Sequence, residues 1–145
     1  MKIGITGSLS SGKSSVAKFL SKNKSILFSA DKAVQGLYSN NQFKNRIKKK
    51  FKIKSKNFKE EIKIKLLKKE IFLKELTTII HPFVRKQMNK FYRKNKKKKI
   101  IFFEIPLLVE SKLMKFFDFI ILVVAPKKIR LKRYLKNGGE KKMFF

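Results

Sequence analysis

Two patterns alternate along this chain, short continuous apolar runs and apolar residues spaced three or four apart, and together they predict strands alternating with helices. Residues 1–6 (MKIGIT), 25–29 (SILFS), 100–105 (IIFFEI) and 119–124 (FIILVV) have the length and composition of strands. The third is continuous in apolar residues, as expected of a strand covered on both faces of a parallel sheet, and the fourth reads as a further buried strand. Between them, Val16, Phe19 and Leu20 mark a helix beginning near Lys13, and residues 32–38 continue as a second helix. Phe43, Ile47 and Phe51 then recur every four residues in an amphipathic helix with a basic outer face.

A further helical block opens at Asn57, where Asn57-x-x-Glu60 has the form of a capping box ahead of Phe58, Ile62 and Leu66. The pattern goes on through Phe72, Leu76, Ile79 and Ile80. His81-Pro82 predicts a break, because proline disfavours the helical region for the residue before it, and the spacing resumes at Val84, Met88 and Phe91. A basic helix over 127–136 and a turn at Asn137-Gly138-Gly139 follow the last strand. The expected architecture is α/β, a mostly parallel sheet flanked by helices, with a long helical insert between strands 2 and 3. One domain is expected over 1–145, with a core at about 1–38 and 98–136 and the insert at about 39–97; neither repeats nor a linker divide it.

Composition supports a real core, since 43% of the 145 residues are apolar and 15 are Phe. With no Cys, disulfides and thiolate metal sites are excluded and a reducing cytoplasm is the expected compartment. The opening is too quickly interrupted for a signal-peptide core, and no apolar run approaches a membrane span, so no membrane partner is expected. A net charge of +30 and a pI near 10.5 raise the question of an anionic partner. Only five of the 39 basic residues are Arg (46, 85, 93, 130 and 133), whereas base readers favour Arg forks. Lys, Ile, Asn and Phe all have AT-rich codons, so nucleotide bias is one source of the charge and a polyanion-binding role the other. The lysine run at 94–99 reads as a solvated helix end and loop, and no specific nucleic-acid partner is expected.

Residues 7–14, GSLSSGKS, satisfy G-x-x-x-x-G-K-[ST] between a predicted strand and a predicted helix. Glycines at 7 and 12 allow a turn whose successive N–H groups converge on phosphate oxygens, and the following helix adds its positive end. Gly7, Ser10, Ser11, Gly12, Lys13, Ser14 and Ser15 are therefore the candidate ATP-binding residues, with Lys13 supplying charge at the β/γ-phosphates and Ser14 a hydroxyl for Mg²⁺. Asp31 follows the second strand, where parallel sheets bind ligands, and is either a carboxylate for a reacting hydroxyl or a helix N-cap. Glu104 ends the third strand and is a second candidate for Mg²⁺.

Four further segments narrow the reading: Ser29-Ala30-Asp31, His81-Pro82-Phe83-Val84, residues 104–110 (EIPLLVE) and residues 118–126 (DFIILVVAP). In this order behind the phosphate loop, the chain resembles the dephospho-CoA kinase family, whose motifs read GGIGSGKS, D-A-D, H-P-x-V, P-L-L-F-E and D-x-x-x-x-V. The resemblance runs from Met1 to about Arg133. It implies a P-loop NTPase-like fold and transfer of the ATP γ-phosphoryl group to the ribose 3′-hydroxyl of dephospho-CoA, with Lys13 and Asp31 catalytic. It also implies a substrate-side place for Asp31, His81, Pro106, Leu107 and Glu110. Read from the residues alone, His81 is equally a polar hinge that caps a helix start, and Glu110 a surface charge.

Three departures stand out. The first Asp of D-A-D is Ser29, and the arginine expected in the lid beyond Arg133 is replaced by Lys136-Asn137. The family pattern also continues through the rest of a lid, a last strand and a final helix, so the chain reads as truncated, ending in mid-helix with exposed aromatics at Phe144 and Phe145. A monomeric kinase is the leading expectation. A different small nucleotide kinase, an inactive ATP- or CoA-binding remnant and a basic nucleic-acid-binding protein are the alternatives.

Overall fold

In the computed structural model the described residues are all those of the chain except 23–25, 55–56, 69, 107, 110, 142–143 and 145. Four strands, β1 (Lys2–Thr6), β2 (Ile26–Ser29), β3 (Ile101–Glu104) and β4 (Phe119–Leu122), form one parallel sheet in the order β2-β3-β1-β4. The helices are α1 (Lys13–Leu20), α2 (Ala30–Leu37), α3 (Asn41–Phe51), α4 (Phe58–Lys68), α5 (Glu70–Asn95) and α6 (Lys127–Lys136), with a 3-10 turn at Met114–Phe116. The chain divides into two compact units, one of Met1–Asp31 with Phe91–Phe145 and one of Lys32–Lys90.

In the first unit the unbroken apolar run of β3 is explained by cover on both faces. Phe102 packs with Ile5 and Ala17 on one face, joined by Ile3, Leu20 and Ile121. Phe103 points to the other, where its ring meets Phe28, Phe91, Phe116 and Phe117 at centroid distances of 5.5–6.1 Å. Such tilted and edge-on pairs suit the aromatic quadrupole. The start of β4 is tied to β1 by Asp118, which accepts from the Lys2 amide at 2.6 Å and donates its own amide to the Lys2 carbonyl at 2.9 Å. That bond from the Lys2 amide holds the exposed Asp118 carboxyl below its usual pKa.

The second unit has an apolar centre built from the predicted spacings. Phe43 and Ile47 of α3 pack with Leu37, Ile53, Phe58, Ile62, Phe72, Leu76 and Ile79. Helix α3 is capped by Asn40, whose side chain accepts from the Phe43 amide at 2.9 Å, a contribution of about 1 kcal/mol. At the head of α4 the Asn57 side chain donates to Glu60 at 2.6 Å, so the two residues of the expected capping box do meet.

Four expectations change. The break at His81-Pro82 is absent: Pro82 lies inside one continuous α5, where a proline forgoes one main-chain donor and the remaining bonds of a long helix carry it through. Phe19 is not on the inner face of α1 but 70% exposed; Lys13 and Ala17, four apart, turn inward instead. Strand β4 is an edge paired with β1, which leaves Phe119, Leu122 and Val124 exposed, Val124 by 76%, where a buried strand is expected from sequence. Phe144 is buried rather than exposed, its ring tilted against Tyr134 at 5.4 Å with the Arg130 guanidinium over it, while the expectation for Phe145 falls outside the described residues. Among the described residues, no helix is long and apolar enough to cross a membrane.

Candidate functional site

The strand register gathers the site. Ile5 of β1 and Ser29 of β2 both pair with Glu104 of β3, so three strands end in one row and hand their next residues to the same edge. From β1 comes the loop 7–14, from β2 comes Asp31, and Glu104 lies between them on the middle strand. Parallel sheets place ligand sites at such carboxyl ends. Beside this row Thr6 donates its hydroxyl to the Pro106 carbonyl at 3.0 Å, fixing the segment that leaves β3.

The loop has the backbone its motif requires. A side chain at Gly7 would collide with the Val123 carbonyl oxygen, and Gly12 sits at φ 99°, a left-handed conformation that favours glycine. Ser10 adopts φ 57° although it is not glycine, so the loop carries local strain of the kind found at functional sites. The Ser11 amide donates to the Ser8 carbonyl at 3.1 Å and closes the turn. Among the described residues the amides of Gly12, Lys13 and Ser14 find no main-chain acceptor, which leaves three donors at the positive end of α1.

Lys13 is buried at this end, 8% exposed, as is Glu104 at 5%. The Ser14 hydroxyl donates to the Glu104 carboxylate in a short hydrogen bond. The Asp31 carboxylate touches solvent, yet neighbouring protein displaces much of its hydration and raises its pKa above the ordinary value. Repulsion from Glu104 raises it further, and the positive charge of Lys13 pulls it back. The Ser14 hydroxyl and the Glu104 carboxylate are hard oxygen donors at the foot of a phosphate cradle, a set that fits Mg²⁺ held chiefly by phosphates and water. Among the described residues no group of three or more His, Asp or Glu side chains forms an all-protein cage.

Two open clefts meet here. One, of about 640 Å³, runs along Ser10–Ser15 to Arg133, Lys136 and Asn137. The other, of about 430 Å³, is bounded by Thr6, Gly7, Ser8, Pro106, Val109 and Leu122. Leu9, Lys13 and Asp31 line both. Of the residues expected from sequence, Gly7, Ser10, Ser11, Gly12, Lys13, Ser14, Ser15, Asp31, Glu104 and Pro106 therefore come together in the first unit. His81 belongs to the second unit, half-buried within α5, where burial and the nearby Arg85 charge lower its pKa. Leu107 and Glu110 lie outside the described residues. Sequence reading missed Arg133, which reaches the loop from α6; its one signal was the i, i+3, i+4 spacing of Arg133, Lys136 and Asn137.

The model of the dephospho-CoA kinase family matches residues 1–143. A dephospho-CoA kinase of Bartonella henselae is 35% identical, the match covering 99% of this chain and 77% of that protein. One from Fusobacterium nucleatum is also 35% identical, over 94% of this chain and 73% of that protein. Among solved structures, TT1252 from Thermus thermophilus superposes with a TM-score of 0.81 at 26% identity, covering 98% of this chain and 74% of that one. The deoxyadenosine kinase from M. mycoides, solved with bound dATP, matches with a TM-score of 0.50 at 17% identity and shares the fold. With a family match over nearly its whole length, the chain belongs to the dephospho-CoA kinase family.

Proposed function

We propose that this chain transfers the γ-phosphoryl group of ATP to the 3′-hydroxyl of dephospho-CoA, giving coenzyme A and ADP. The observation that carries the reading, beside family membership, is the pair of clefts that share Lys13 and Asp31. A phosphoryl donor along Ser10–Ser15 and an acceptor beside Pro106 would face each other across those two side chains.

Phosphoryl transfer needs alignment and charge neutralisation more than covalent help. The free amides of Gly12, Lys13 and Ser14 would receive phosphate oxygens, and the buried Lys13 ammonium would offset the charge that develops on the transferred group. Asp31 would accept the proton of the attacking hydroxyl, and its raised pKa makes its carboxylate a better base than an ordinary one. Ser14 and Glu104 would hold Mg²⁺, which when bound neutralises phosphate charge. His81, Pro106, Leu107 and Glu110 are assigned to the acceptor side by the family motifs they occupy, and the cytoplasm is the compartment proposed for this reaction.

The test is ADP formation by the purified protein with ATP and Mg²⁺ in the presence of dephospho-CoA, AMP or adenosine. Turnover with dephospho-CoA far above that with the other acceptors is expected. Preference for AMP or adenosine would make it a different nucleotide kinase, and ATP binding without turnover on any of the three would make it a remnant.

A further inference from the structure

Arg133 is assigned no role by the family motifs, and α6 returns it to the phosphate loop. Its Nη1 donates to the Ser11 carbonyl at 2.9 Å across 122 residues of sequence. We infer that Arg133 is a positioning residue that sets the phosphate cradle by holding the Ser11–Gly12 peptide unit in one orientation. The inference rests on residues 7–14 being the ATP site.

In a trans peptide the C=O and N–H of one unit point in opposite directions, and no cis bond occurs among the described residues. Anchoring the Ser11 carbonyl on the guanidinium therefore directs the Gly12 N–H to the opposite side. This peptide needs an anchor, because glycine at 12 has access to both signs of φ and gives little resistance to a flip. A flip would replace a donor in the cradle with a carbonyl oxygen, which repels phosphate.

Two further observations bear on the contact. A Cβ built on Gly12 would lie 3.3 Å from Arg133 Nη1, so the guanidinium also packs against the glycine that must turn. The bond is charge-assisted, and the planar fork keeps other donors free in the cleft that Arg133 shares with Lys136. Arg133 thus links the orientation of α6 to that of the loop amides.

Arg133→Ala and Arg133→Lys test this with two readouts. In the nucleotide-free protein, the Gly12 amide resonance is expected to move or broaden in R133A and to return toward its original position in R133K, which keeps a donor and the charge. For ATP, a Kd raised about tenfold is expected in R133A, with KM for dephospho-CoA and the melting temperature essentially unchanged. An unmoved Gly12 resonance would overturn the inference, even if ATP affinity fell, since Arg133 would then touch only the nucleotide. If the unaltered protein bound no ATP, the ATP-site reading would fail, and the Gly12 resonance would still report whether Arg133 sets the peptide.

Discussion

Among the described residues, the buried polar and charged side chains Thr6, Ser11, Lys13, Glu104 and Ser111 all belong to the unit that carries the sheet, whereas the buried centre of Lys32–Lys90 is entirely apolar. Burying a polar group without full compensation costs about 1–3 kcal/mol, so a fold keeps such groups where they serve a purpose. Thr6 and Ser111 are satisfied by main-chain carbonyls at 3.0 Å. The Ser11 hydroxyl, in contrast, is buried with no hydrogen-bond partner among the described residues, and Lys13 and Glu104 bring opposite charges to the same strand ends. The first unit is built for charge and the second for packing, and each of the following experiments bears on that division.

Lys13→Ala should have the largest effect, a fall in kcat of about 10³-fold, because a preorganised charge at the transferring group is lost. Its melting temperature should hold, since a buried charge has gone; a collapse in stability would make Lys13 structural and break the comparison. Phe43→Ala, in the apolar centre of the second unit, should cost about 3–5 kcal/mol in urea unfolding. KM for ATP of the folded fraction should stay within about twofold, because Phe43 belongs to the unit that carries none of the phosphate-loop residues.

Asp31→Asn should lower kcat by about 10²-fold, the scale of a lost general base. In the unaltered protein, kcat/KM should rise with pH along an acid limb displaced above the ordinary carboxylate range, as Asp31 ionises. Stability should respond in the opposite sense. With the folded pKa raised, the contribution of Asp31 to stability is present below its unfolded pKa and is lost as pH rises through the folded one. Asp31→Asn should remove that loss, and a pH–stability profile identical to that of the unaltered protein would show that Asp31 is fully solvated. The smallest effect is expected of Ser10→Gly, which should stabilise the fold by about 0.5–1 kcal/mol by relieving a left-handed serine.

Much of this site was legible in the sequence because its chemistry is local. Residues 7–14 declare a phosphate loop in eight consecutive positions, and Asp31 and Glu104 each follow an apolar run that marks a strand end. The meeting of Glu104 with Ser14 was not legible, since it depends on the register of β1 with β3. Arg133 was hidden for the same reason, its contact spanning 122 residues. The errors in the fold also have physical causes. Apolar periodicity assigned Phe19 to the inner face of α1, but the aliphatic stem of Lys13 and the small Ala17 occupy it. The continuous run at β4 resembled that at β3, and composition does not distinguish an edge strand from a central one. Proline at 82 predicted a break from local sterics alone, whereas Ile79 and Met88, buried on either side of it, show how much packing the uninterrupted α5 supports.

Phosphoryl transfer where the two clefts meet can be watched in the ³¹P NMR spectrum of the unaltered protein with ATP, Mg²⁺ and dephospho-CoA. A new phosphomonoester resonance on the ribose 3′-oxygen should grow in step with ADP, and about 10³-fold more slowly with Lys13→Ala. Release of inorganic phosphate alone, or an unchanged spectrum from folded protein that binds ATP, would contradict it.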